Sequence, residues 1–244
     1  MKKLFFGLFW AALSLGVFAQ GAKIDSTAVL LLDRMSDVIG DLGSCSFNLN
    51  TAYDTPDPDQ GLIKQFGTFE VYLIGPDKML VIATGAKGHR QFWYNGSQLS
   101  YYSYDENNYA ILDTPPTILQ TIDSVNKNFG VEFPAADFFY PTFTDDLISN
   151  SDQIAYLGQT QIMGKNCFQI LATSKETTIQ IWISCDAFNL PLRYAIVYRN
   201  LDGNPQFDAT FSDWNINPDL PTEMFNFLPP PGATKIRMIS KYEK

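Results

Sequence analysis

The chain has 244 residues, with 17 Lys+Arg against 26 Asp+Glu, one His and three Cys. Apolar residues make up 45% and charged residues 18%, the balance of a folded soluble domain, which excludes a disordered chain, a coiled coil and a collagen-like rod. A formal charge of −9, with no Lys/Arg run longer than two, also argues against nucleic acid, because phosphate backbones are held by clustered cations.

The first nineteen residues read as a secretory signal peptide. Lys2 and Lys3 form a positive start, Leu4 to Phe18 is apolar and uncharged, and Val17-Phe18-Ala19 is a cleavage site before Gln20. The other reading, an uncleaved anchor, wants roughly 20 apolar residues. Cleavage removes two lysines and no acid, making the exported form more acidic still. Residues 20–24 then form a short N-terminal segment and residues 25–244 a single exported domain. No later stretch is apolar enough to cross a bilayer, so an integral membrane protein is not expected.

From Ala28 to Leu42, apolar residues recur at Leu31, Leu32, Met35, Val38, Ile39 and Leu42, the period of a helix. Asp25 or Ser26 caps its start and Gly43 ends it. From Cys45 to Tyr53 the period changes to two, giving a strand, and Asp54 to Gly61 reads as a loop. Further strands follow at Phe66–Ile74, Lys78–Ala83, Arg90–Tyr94, Gln98–Tyr104 and Tyr109–Leu112. Their joints are short, and Asn95-Gly96 between two aromatic runs is a strong hairpin signal, so the strands form an antiparallel meander.

Thr114-Pro115-Pro116 opens a second helix, with an apolar stripe at Ile118, Leu119, Ile122, Val125 and Phe129 ended by Gly130. Pro134–Tyr140 and Thr144–Ser149 give two short helical turns. Strands resume at Ile154–Gln159, Lys165–Thr173, Thr177–Ser184, Leu192–Arg199 and Gln206–Asn215. The Pro- and Phe-rich stretch from Met224 to Pro231 is expected to lie across the fold as an extended strap.

Little here carries catalytic chemistry. A lone His89 in a Gly-rich loop supplies neither a His–His metal site nor a His-oriented triad. Asp57-x-Asp59-x-Gly61 lacks the third acid and the bidentate Glu of a calcium loop. No nucleophile elbow, zinc-helix, Walker or dinucleotide motif occurs. No metal or cofactor is expected, and the protein is read as non-enzymatic.

Phe92-Trp93-Tyr94 and Tyr101-Tyr102-x-Tyr104 put rings on both faces of their strands. Either a helix or loop covers the second face, or one face lines an apolar cavity. Cys167 and Cys185 flank a hairpin near Lys175-Glu176, and counting outward brings Cys167 opposite Ser184 or Cys185. One reading is a cross-strand disulfide between Cys167 and Cys185, and the other is two buried thiols.

Several stretches carry a family likeness. They are Ala28–Leu42, Gly75-Pro76-Asp77-Lys78-Met79, Phe92-Trp93-Tyr94-Asn95-Gly96, Asp105–Tyr109 and Phe133-Pro134-Ala135-Ala136-Asp137. Cys167-Phe168-Gln169, Trp182-Ile183, Leu190-Pro191-Leu192-Arg193 and Thr210–Asn215 continue the set. In order and spacing the sequence resembles the predicted periplasmic proteins of unknown function within the LolA/LolB lipoprotein-carrier superfamily. Gln169 stands where many relatives carry His, and Cys185 is not a usual family feature.

The resemblance implies an α+β fold: a single-domain, half-open antiparallel β-barrel. Its concave face would be covered by the N-terminal helix and the mid-chain helical insertion. It also implies a cavity for a lipid, an acyl chain or an acylated protein. Period-two counting gives Val71, Leu73, Met79, Val81, Phe92, Tyr94, Leu99, Tyr101, Tyr194, Ile196 and Phe211 as the wall, with Trp182 joining from a neighbouring strand. A periplasmic sensor module that meets an envelope partner protein is the alternative role, and an unrecognised hydrolase a third.

Overall fold

The computed structural model describes residues 23–242. The expected signal peptide and the cut before Gln20 lie outside these residues. Strand β1 (Lys23–Ile24) leads into helix α1 (Ser26–Gly40). Then come β2 (Ser44–Asp57), β3 (Gly61–Ile74), β4 (Lys78–Gly85), β5 (Gly88–Tyr94), β6 (Gln98–Ser103) and β7 (Asn108–Asp113). Helix α2 (Ile118–Phe129), a 3₁₀ turn at Ala136–Phe139 and helix α3 (Phe143–Ser149) form the mid-chain insertion. Strands β8 (Gln153–Ile162), β9 (Lys165–Thr173), β10 (Thr177–Ser184), β11 (Pro191–Tyr198) and β12 (Gln206–Ile216) follow, and β13 (Thr234–Lys235) closes the series.

All thirteen strands form one open sheet, ordered β1-β8-β9-β10-β11-β12-β2-β3-β4-β5-β6-β7-β13. Every pairing is antiparallel except at the two edges. There β1 lies parallel on Gln153–Ile154 of β8, and β13 lies parallel on Asn108–Tyr109 of β7. Among the described residues, no helix is long and apolar enough to cross a membrane.

The helices start and stop where their caps dictate. Asp25 caps α1, its carboxylate accepting from Thr27 N at 2.8 Å and Ala28 N at 3.4 Å. Its second oxygen accepts from Tyr156 N, fixing the helix start to β8. The helix ends on Asp41 rather than at Gly43. Thr117 caps α2, and Gly130, at φ 68°, ends it in the left-handed conformation that glycine adopts without steric cost. Leu31, Leu32, Met35 and Ile39 of α1 and Ile118 and Val125 of α2 share one apolar core with the inward residues of the sheet.

Two expectations are corrected. Asp54 to Gly61 is not a loop: the β2–β3 ladder runs down to Asp57 opposite Gly61, leaving only residues 58–60 as the turn. The register of β12 against β2 ends at Tyr53, so one edge of β2 is free at Pro56 and a missing N–H costs no ladder bond there. The C-terminal strap is not extended throughout, since Thr222–Phe225 forms a 3₁₀ turn. It does lie across the outer face. Phe225 is buried, and the Phe227 ring sits 4.8 Å from Trp93, 5.4 Å from Tyr109 and 6.3 Å from Tyr102. The outward rings of β5, β6 and β7 are therefore covered by the chain's own tail.

The three cysteines are free thiols, so the Cys167–Cys185 bridge is not formed. On the β9 side the register of β10 runs without a bulge to Ser184 opposite Cys167, and Cys185 falls one place beyond the strand. Cys167 Sγ instead donates to Thr160 O at 3.5 Å.

Candidate apolar binding site

The inward face of the sheet is set by alternation. Cys45, Phe47, Leu49 and Thr51 of β2 pair with Leu73, Val71, Phe69 and Gly67 of β3. Those residues face Met79, Val81, Ala83 and Gly85 of β4, which in turn face Tyr94, Phe92, Arg90 and Gly88 of β5. Large residues occupy one end of this surface and small ones the other.

At the end of large residues, a cavity of about 520 Å³ separates the sheet from the helices. Its floor is Phe47, Val71, Leu73 and Met79, and its roof is Ile39 of α1, Leu42 just beyond that helix, Ile118, Leu119 and Ile122 of α2, and Phe139. Tyr94 holds the entry to α2 by donating from its hydroxyl to Pro115 O at 2.6 Å. The Ile118 amide donates to Pro76 O at 2.9 Å, so the roof is tied to the turn between β3 and β4.

At the other end the strands carry small residues. Gly67 and Gly85 are register partners, and a Cβ on Gly85 would come within 2.6 Å of the Phe66 carbonyl oxygen, so the two strands tolerate no side chain there. A second cavity of about 800 Å³ is lined by Gly67, Ala83 and Gly85 and bounded by Phe92, Tyr101 and residues 129–134. Phe69, Val81, Phe133 and Pro134 line both cavities, which therefore adjoin as the two halves of a slot with these four side chains between them. Both volumes lie within the range of about 300–1,000 Å³ usual for ligand pockets.

A third cavity, of about 410 Å³, lies on the far side of the insertion between Ile179, Ile181, Tyr194 and Ile196 and the acids Asp123, Asp137 and Asp146. It is polar at its mouth: Tyr140 donates to Asp123 at 2.6 Å and Thr142 to Asp146 at 2.7 Å. Burial pushes the Tyr194 phenol far up, and its oxygen accepts from Ala135 N at 3.1 Å.

The residues expected to form one wall are thus divided. Val71, Leu73, Met79 and Val81 line the first cavity, and Val81, Phe92 and Tyr101 the second. Tyr194 and Ile196 line the third. Tyr94, Leu99 and Phe211 face inward but are packed in the core and line none of these cavities. Phe211 stands among the rings of Phe47, Phe138, Tyr194 and Trp214. Trp182 is on the opposite face, because Ile181 and Ile183 beside it point into the core; Arg193 lies over its ring at 5.8 Å.

Counting by two did not find Trp214, Gly67, Ala83 or Arg90. Trp214 reaches the inward face only through a register shift in β12 between Ser212 and Asn215, where Asp213 takes φ 55°. The small residues were readable, since Phe69, Gly67, Ala83 and Gly85 continue the inward parity of Val71 and Val81. His89 is outside the slot, stacked on Tyr104 at 4.1 Å.

Several solved structures are similar to this chain at low identity. One is an uncharacterised conserved protein from Thermus thermophilus, at 12% identity and TM-score 0.49, covering 86% of this chain and 99% of that one. Another is the lipoprotein LppX of Mycobacterium tuberculosis, at 14% identity and TM-score 0.45, covering 81% and 99%. A LolA superfamily protein from Nitrosomonas europaea matches at 13% identity and TM-score 0.37, covering 82% and 97%. None of the curated proteins matches the chain in sequence. A family model does, over residues 28–239, which takes in both faces of the slot, its roof and nearly all of the sheet. The chain belongs to the family described as predicted periplasmic protein (DUF2092).

Proposed function

We propose that this is an exported, non-enzymatic binding protein that holds an elongated hydrophobic ligand, an acyl chain, in the slot between the sheet and α2. The observation that carries the reading is the adjoining pair of cavities, about 520 Å³ and 800 Å³, between the inward face of the sheet and the helical insertion. In this reading the sheet is a half-open barrel and the insertion is its lid. Each methylene moved from water into the slot is worth about 0.8 kcal/mol, so about ten of them offset the cost of association without a covalent step.

The test is titration of the purified protein with Nile red, a neutral probe that brightens and shifts to the blue in apolar surroundings. Saturable one-to-one binding, displaced by acyl compounds, is the expected result. Lack of saturable binding by a folded sample overturns the reading. N-terminal sequencing of the exported protein should return Gln20, and a sequence beginning at Met1 would count against cleavage.

A further inference from the structure

The slot has two chemically different ends. Arg90 has the same parity on β5 as Phe92 and Tyr94, so it points inward, and it lines the larger cavity together with Lys87 of the β4–β5 turn. Its Nε is buried with no hydrogen-bond partner, and among the described residues no carboxylate lies within ion-pair distance of its guanidinium. Arg90 as a whole is half-buried, but a buried N–H left without an acceptor is costly, so its Nε is set for an acceptor that comes from outside the chain.

Three acids share that cavity. Asp54 is already bound to Lys64 at 2.6 Å and to Gln206 N at 2.8 Å. Glu132 and Asp202 are exposed at the rim, where water and salt screen them. The first cavity has no charged side chain in its lining, and the third is lined by carboxylates. Within the slot, only the Arg90 end presents positive charge. Its mouth also carries exposed apolar side chains, Phe66 at 66% and Leu201 at 51%, which give a chain entering there an apolar threshold.

Resting on the reading above, we infer that the ligand is an anionic amphiphile. Its carboxylate or phosphate head is received by Arg90 with Lys87, and its chain runs past Val81 into the cavity under α2. The guanidinium offers a planar fork of donors that matches either head group.

Displacement of Nile red by dodecanoate and by the neutral dodecanol separates head from chain. In the wild type, dodecanoate should bind at least tenfold more tightly, the scale of one charge-assisted hydrogen bond. Arg90→Gln should remove that preference by weakening dodecanoate at least tenfold, and Lys87→Gln should reduce it in part. Dodecyl phosphate in place of dodecanoate distinguishes the two head groups, and inorganic phosphate or acetate alone should displace nothing. Equal binding of dodecanoate and dodecanol by a wild type that takes Nile red overturns this inference and leaves the binding function intact. Absence of Nile red binding removes both. If Arg90→Gln no longer takes Nile red, the exposed Lys87→Gln decides: a reduced preference supports the head-group site, and an unchanged one overturns it.

Discussion

Val81 is the most informative position to perturb, because it lines both cavities from the centre of β4. Val81→Phe would push a ring into the neck proposed between the cavities of about 520 Å³ and about 800 Å³. In the wild type, affinity for a series of fatty acids should rise about fourfold per added methylene, from about 0.8 kcal/mol each, until the slot is full. A ring that denies a ligand three methylenes removes about 2.4 kcal/mol, or about 60-fold, from the longest chains while leaving short ones nearly unchanged. Isothermal titration across chain lengths should therefore show an earlier plateau in the variant. The melting temperature should hold, since the ring enters empty space. If the neck were filled, the same ring would overpack the core at about 1–3 kcal/mol. A melting temperature lower by several degrees with an unchanged plateau would refute the slot.

Three other outcomes are expected. Burial pushes the Cys45 thiol up to about 12, while Cys185 is only partly covered; alkylation of the native protein should label Cys185 first and Cys45 only after denaturation, and equal labelling of all three would contradict the packing. Phe227→Ala strips the ring from Trp93, Tyr102 and Tyr109, and should lower stability by about 2 kcal/mol and shift Trp emission to the red; an unchanged emission maximum and melting curve would show that the strap contributes no cover. The Thr27 amide holds the Asp25 carboxyl below its ordinary value. Its contribution is therefore complete above the unfolded carboxylate pKa and is lost as pH falls through the folded value, so Asp25→Asn should flatten the acid side of a melting profile, and a profile identical to wild type would rule the cap out.

Much of the fold was legible. Strands β9 and β10 and the cap that ends α2 follow directly from alternation and from Gly130, because turn chemistry and periodicity are local. What was not legible depends on partners far away in sequence. Pro56 reads as a loop residue until one sees that β12 has already stopped beside it. Trp214 reads as outward until the shift at Asp213 turns it inward. The site was half legible for a related reason. Large inward residues announce a wall, and Val71, Leu73, Met79 and Val81 are part of one, but a cavity is made as much by the residues that are small. Tyr94, Leu99 and Phe211 share the wall's parity and are packed solid, whereas Gly67 and Ala83, too small to announce a wall, line the second cavity.

The two parallel bridges at the margins of the sheet bear on how this protein behaves in company. An uncovered edge strand is a template for strand addition by another copy. Here β1 occupies one end of β8, while a register shift between Tyr156 and Gly158 disturbs the rest of that strand, and β13 occupies one end of β7. Lys23, Ile24, Thr234 and Lys235 thus act as stoppers against polymerisation while lining none of the three cavities. Deleting either pair should appear first in light scattering, as oligomers of a protein that still takes up Nile red.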